Sequence, residues 1–227
     1  MAQKKEKNAP VQNNNVGEAV SRTEQFIETN KKKLTIAVVS VIVVVAAVLL
    51  LNTYYYAPRQ EKAHAALVTG EKLFEAGNFQ AALEGDNYEF DGFDAIIKKF
   101  KGTKAANLAK AYAGISHAQL GQYDEAITYL KSYKGKDSII APSVLSTLAN
   151  CYASKEDFAQ AAALLLKAAA KADNNTLSPA FLVQAGQLFE QMGKPADALK
   201  AYQQVKDKYY QSMQASDIDK YIERVNK

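Results

Sequence analysis

The sequence predicts an all-α protein: a single N-terminal transmembrane helix, then an α-solenoid of about four helix pairs closed by a C-terminal capping helix. Two observations carry this. Leu34–Leu51 is an 18-residue stretch without a charge. From Arg59 onward, apolar residues recur at helical spacing and small residues return in pairs twelve positions apart. No segment shows the apolar/polar alternation of a half-buried strand. Hydrophobic residues make up 48% of the 227, enough for a packed core, and proline is scarce at 5, which favours long regular elements.

The membrane segment reads LTIAVVSVIVVVAAVLLL, and 13 of its 18 residues are Val, Leu or Ile. A helix of that length spans roughly 27 Å, close to the hydrocarbon thickness of a bilayer. Insertion of those thirteen side chains is favourable by roughly 4–8 kcal/mol. Lys31, Lys32 and Lys33 abut its start, and Tyr54, Tyr55 and Tyr56 follow its end, where rings prefer the headgroup layer. Basic flanks stay on the cytoplasmic side, so the predicted orientation puts the tail inside and the C-terminal part outside. Pro58 is expected to stop the helix. The 33 preceding residues are too long for a signal peptide's basic start, and no small-x-small cleavage site follows, so the segment reads as an uncleaved anchor. The predicted divisions are a cytoplasmic tail over 1–33, the transmembrane helix over 34–56 and an extracytoplasmic repeat domain over 59–227. Met1–Asn15 is polar and is expected to be disordered. Val16–Asn30 reads either as a short cytoplasmic helix or as an interfacial lead-in to the span.

Charge excludes one class of function. Residues 1–33 hold seven Lys/Arg and four Glu, whereas 59–227 hold 21 basic and 20 acidic groups. A nucleic-acid binder concentrates positive charge on its folded domain, and this one is nearly neutral. The single cysteine, Cys151, forbids an intramolecular disulfide. It reads as a buried structural residue, since no histidine belongs to its own or the next unit. His64 and His117 fall in different units and cannot build a Cys/His zinc site. The acidic stretch Glu84, Asp86, Glu89, Asp91 and Asp94 fails the calcium-loop pattern because Tyr88 and Phe90 occupy ligand positions. It reads as a solvated loop or a partner contact. No phosphate loop or nucleophile motif occurs, and neither enzymatic activity nor a cofactor, metal or small-molecule substrate is expected.

The paired small residues are Gly70 and Ala82, Gly114 and Ala126, Ala149 and Ala161, and Gly186 and Ala198. Phe79, Tyr123 and Phe158 lie three residues before the second member, with Pro195 in the fourth unit. Gly77, Gly121 and Gly193 precede three of these positions. Antiparallel helices joined by a tight turn approach closely where side chains are small, so the small residue of the first helix is expected to face that of the second. Segments such as LGQYDEAITYL and GNFQAAL resemble the tetratricopeptide family, whose repeat is about 34 residues. Successive second small residues are 44, 35 and 37 apart, so the first gap holds an insertion, placed at Gly85–Gly92. Phe93, Ile96, Ile97 and Phe100 then form one face of a helix that completes the first unit. Thr103 is predicted to cap the next helix. Pro142 and Pro179 sit at helix starts. Ser216 is predicted to cap a final helix with Ile218, Tyr221, Ile222 and Val225 on one face.

In this family the first helix of each repeat lines a concave groove. Here the corresponding residues are Leu108, Ala111, Ile115 and Gln119 in the second unit, and Ser143, Ser146, Asn150 and Ser154 in the third. Ala180, Val183, Gln187 and Gln191 supply the fourth. None is a lysine or arginine, which argues against a clamp for an acidic chain end and for an extended or helical apolar peptide. The order of short helix, lysine cluster, span and small repeat domain, with GTKAANLAKAYAGISHAQLGQYDEAITYLKSY, is similar to the YfgM-like family of bacterial inner-membrane proteins. That resemblance implies a periplasmic domain on an N-terminal anchor. It also implies association with the Sec translocon and a membrane-bound periplasmic prolyl isomerase, and a chaperone-like role for exported clients. The alternative is a scaffold subunit of an envelope assembly or secretion complex.

Overall fold

The computed structural model describes residues 14–86 and 90–226, and it divides into two compact units, Met1–Ala57 and Pro58–Lys227. The chain is all-α, with no strand among the described residues. Most of Met1–Asn15, predicted disordered, and Tyr88 and Glu89 of the acidic insert lie outside them.

In the first unit, α1 runs without a break over Asn14–Leu51 and is followed by a π-helical turn at Asn52–Tyr56. The lead-in of 16–30 is thus continuous with the apolar stretch and not a separate helix. The described side chains of the apolar stretch lie open: its most hydrophobic 18-residue window has mean hydropathy 3.2 and none of it is buried. Thr35 and Ser40 donate to the carbonyls of Lys31 and Ile36, at 2.8 and 2.6 Å, so their hydroxyls are satisfied within the helix. Pro58 does not stop the helix. It lies in the first turn of α2 (Ala57–Glu75), where its missing N–H is tolerated after the π turn.

The second unit holds the pairs. They are α2 with α3 (Phe79–Glu84), α5 (Lys104–Gln119) with α6 (Tyr123–Ser132), α7 (Ile140–Ser154) with α8 (Phe158–Ala172), and α9 (Ser178–Gln191) with α10 (Pro195–Lys208). All four internal turns make the same two bonds. The N–H groups of Gly77 and Asn78 donate to the carbonyls of Phe74 and Leu73, and those of Gly121 and Gln122 to Ala118 and His117. Glu156 and Asp157 donate to Ala153 and Tyr152, and Gly193 and Lys194 to Glu190 and Phe189. This closure of a helix C-terminus needs a residue at positive φ. Gly77, Gly121 and Gly193 supply it at φ +76°, +75° and +68°, and Glu156 adopts it at +64°.

The close approach differs from the expected one. A Cβ on Gly114 would lie 2.6 Å from Leu130 Cγ, and one on Gly186 2.3 Å from a ring carbon of Tyr202. The small residue therefore makes room for a large side chain four residues beyond the second-helix alanine. In the first unit α3 is too short to supply that residue. Gly70 instead meets the rings of Phe90 and Phe93, both at 2.5 Å. Phe93 opens α4 (Phe93–Lys99), the predicted completing helix, and stacks on Tyr112 with centroids 5.5 Å apart. The insert is no simple solvated loop, because Phe90 is 4% exposed. Gly85 and Gly92, at φ +102° and +89°, bring its two limbs so close that a Cβ on either would meet backbone within 2.3 Å. Asp86 Oδ1 accepts from Phe90 N at 3.0 Å.

Two cores result. Leu67, Leu83, Phe90, Phe93 and Ile96 pack with alanines on one face of α5. From Ala111 onward, the later pairs share a second core that includes Leu130, Leu165, Leu182 and Tyr202. Thr103 caps α5 as predicted, accepting from Ala106 N at 3.1 Å. The final helix α11 (Ile218–Val225) covers the last pair with Ile218 buried and Tyr221, Ile222 and Val225 half-buried. Ser216 does not cap it. Ser216 closes a 3-10 turn (Met213–Ser216) that Ser212 caps, accepting from Ala215 N at 3.2 Å.

Arg224 of α11 holds Glu190 of α9 through both carboxylate oxygens, at 2.8 and 2.6 Å, and Tyr202 donates to the same group. The Arg224 hydrogen bonds keep the Glu190 carboxyl below its ordinary value of 4.5 against the opposing effect of burial. A depressed carboxylate stabilises the fold fully above its ordinary pKa, and this contribution is lost as pH falls through the folded value. Arg224→Gln should therefore cost about 1 kcal/mol or less at neutral pH, because the pair is partly exposed. The gap to the parent chain should be full above about pH 4.5 and narrow as pH falls below it, as read by urea denaturation in detergent at pH 7 and pH 3. Gly186→Ala forces a methyl into the Tyr202 ring. It should destabilise by about 1–3 kcal/mol, a loss of about 2–4 °C in melting temperature per kcal/mol.

Candidate peptide-binding surface

The groove positions lie on α5, α7 and α9, the first helices of the second, third and fourth pairs. The helical period puts the second, fifth, ninth and thirteenth residues of each unit on one stripe. Exposure rises along that stripe. Leu108, Ser143 and Ala180 are half-buried at the start, Ser146 and Val183 are half-buried at the next position, and Gln119, Ser154 and Gln191 are exposed at the end. Ile115 is half-buried, whereas Asn150 and Gln187 at the equivalent position are exposed. Ala111 is the exception. It is 2% exposed and belongs to the core of the later pairs, so it offers no contact surface. Leu108, Ile115 and Val183 also pack against that core while keeping an exposed edge.

What the stripe can do follows from its chemistry. It carries no charge at these positions. It offers amides and hydroxyls at the open end and aliphatic edges at the closed end, which suits complementarity to a neutral or apolar segment.

The other singled-out residues separate from this surface. Cys151 is 1% exposed in the core, and burial pushes its thiol up, away from the reactive thiolate. His64 is exposed on α2. His117 stacks on Tyr129 at 5.1 Å, and its Nδ1 lies 2.6 Å from Gln122 Oε1. Tyr129 donates in turn to Asp94, tying α6 to α4. Burial, reinforced by that bond, pushes the phenol up to about 12. Among the described residues, no three or more His, Cys, Asp or Glu side chains gather where they could hold a metal ion.

Two open clefts lie elsewhere, and the positional count did not reveal either. One, of about 390 Å³, has Val144, Leu145, Leu148 and Leu164 on its floor and Lys131, Lys167 and Lys171 at its rim. The other, of about 520 Å³, lies between α4 and α5 and is lined by Lys98, Lys101, Lys110 and Lys134. A local run, KKFKGTK (Lys98–Lys104), marked the second in the sequence, but the neutral total over 59–227 hid it.

Residues 180–212 match the tetratricopeptide repeat family. The match covers most of α9 and all of α10, and it supports a tetratricopeptide-repeat protein, a class of protein-interaction module. The first three pairs repeat the turn bonds of this matched unit residue for residue. No curated protein matches the chain.

The buried setting of Cys151 gives a direct test. In the folded protein the thiol should react with a maleimide at least about tenfold more slowly than in denaturant, at equal pH. Mass spectrometry of the labelled peptide reads the two rates. Equal rates would place the thiol at the surface.

Proposed function

We propose that this chain is a non-enzymatic, membrane-anchored interaction module that serves exported proteins. Its repeat domain would lie on the periplasmic side of a bacterial inner membrane, beside the Sec translocon. The observation that carries the reading is the open apolar helix. A helix belonging to the core of a soluble fold buries its apolar face, but Ile36 is 66% exposed and no part of the most hydrophobic 18-residue window is covered. Unpartnered apolar surface of that extent needs a lipid or protein environment. Lys31, Lys32 and Lys33 at one end and Tyr54, Tyr55 and Tyr56 at the other favour an N-terminus on the cytoplasmic side.

The stripe on α5, α7 and α9 supports the interaction role. Leu108, Ile115 and Val183 supply aliphatic contact, and Gln119, Ser146, Asn150 and Gln187 supply adaptable hydrogen bonding. Such a surface holds a passing segment by shape and weak polar contact, as expected of a factor that binds newly exported chains transiently and releases them. The similarity to the YfgM-like family supplies the translocon and periplasmic folding factors as partners.

Affinity purification of the intact protein from detergent-solubilised membranes, followed by mass spectrometry, tests this. Translocon subunits should co-purify in near-stoichiometric amounts and should be lost when Leu34–Leu51 is exchanged for an unrelated apolar helix. Recovery of an envelope-assembly or secretion complex without any translocon component would make the chain a scaffold subunit instead.

A further inference from the structure

We infer that the lysine-lined cleft between α4 and α5 binds the phosphate of anionic phospholipid headgroups, holding the first repeat pair against the membrane surface; this rests on the membrane-spanning reading of α1. The cleft is rich in positive charge. Lys98, Lys101, Lys110 and Lys134 line it with Asn107 and Ile97, and no carboxylate does. Lys98, Lys101 and Lys134 are exposed. The neighbouring Lys99 faces Asp91 at 3.8 Å and adds little.

The walls are fixed. The Asn107 side chain donates to the Lys134 carbonyl and accepts from the Lys134 N–H, both at 3.0 Å, so α5 and the segment after α6 keep one spacing. Gly102 at φ +92° turns the chain sharply between Lys101 and the Thr103 cap. Four lysines lining one opening, of which Lys110 also donates to the Ser132 carbonyl at 3.4 Å, suit a compact anion with several acceptor oxygens, and lysine serves phosphate as a point charge.

The chain itself selects a lipid over a soluble phosphate. Arg59 donates to the carbonyls of Lys99 and Lys101, at 2.7 and 3.4 Å, and Gln60 Oε1 accepts from Lys104 N at 2.9 Å. The lysine-bearing turn is thus fastened to Arg59 and Gln60, and Arg59 is three residues beyond Tyr56. Three residues reach at most about 11 Å. The tether of the lysine-bearing turn thus begins at the end of the span, where Tyr54–Tyr56 would meet the headgroup layer. Tethering at that range raises the effective concentration of headgroups far above that of a free anion.

The test uses the full-length chain in nanodiscs of phosphatidylcholine alone or mixed with phosphatidylglycerol. An amine-reactive reagent and mass spectrometry read the labelling rate of each lysine. Lys98, Lys101 and Lys134 should label at least about threefold more slowly in the anionic discs. High salt should remove the difference, and Lys194 on the fourth pair should not respond. In the variant Lys98→Gln/Lys101→Gln, the protection of Lys134 should be lost. Equal labelling in both discs, with the protein still co-eluting with them, overturns the inference and leaves the anchor intact. Full protection in neutral discs on adding inorganic phosphate also overturns it and assigns the cleft to a soluble anion. Failure to co-elute with either disc would bring down the membrane reading and this inference together.

Discussion

A helix can turn back on itself in three or four residues only if its last carbonyls find donors and its neighbour can approach. Both conditions are met at one place in each pair. The turn N–H groups reach back to the carbonyls of the last helical turn, and one residue takes positive φ to let them do so. Eight residues before the last residue of this turn a glycine or alanine removes the side chain that would hold the second helix away. With the turn and the gap set, the angle between the helices and the position of the large second-helix residue follow. In the second and fourth units these are Leu130 and Tyr202. The later pairs stack because each presents the same surfaces to the next.

The existence of the pairs was legible because that constraint leaves a sequence record: Gly or Ala, then twelve residues on, Ala. Its partner was misread. Ala82, Ala126, Ala161 and Ala198 are all fully buried, but the residue that demands the glycine lies one helical turn further on. A periodicity of small residues reports where space is needed and does not name what fills it. Glu156 shows the converse. The third unit keeps the turn without glycine, so a search for glycine alone marks three turns where the structure has four.

The first pair is where the sequence was least readable. Its aromatic cluster joins residues from α2, α3, the insert, α4 and α5: Phe74 contacts both Phe79 and Tyr112, and Phe93 contacts both Phe90 and Tyr112. The acidic residues of the insert pointed to solvent, and Asp91 is indeed exposed, yet Phe90 between them anchors the loop in the core. The groove stripe followed from helical period alone, so eleven of its twelve positions keep some exposure. Ala111 fell inside because α5 is the helix shared by two cores, with an apolar surface on more than one side. Charge totals concealed the α4–α5 cleft for a different reason: a sum over a whole domain carries no position.

Helical arrays resemble one-dimensional crystals, in which every added unit leaves a fresh face for the next. Here α11 ends that series. It turns Ile218 inward and leaves Asp219, Lys220, Glu223 and Arg224 exposed, charges of both signs where a further repeat would need apolar contact. A second copy arriving at this end meets a growth face already poisoned against it. That termination disfavours end-to-end stacking of copies through the α11 edge.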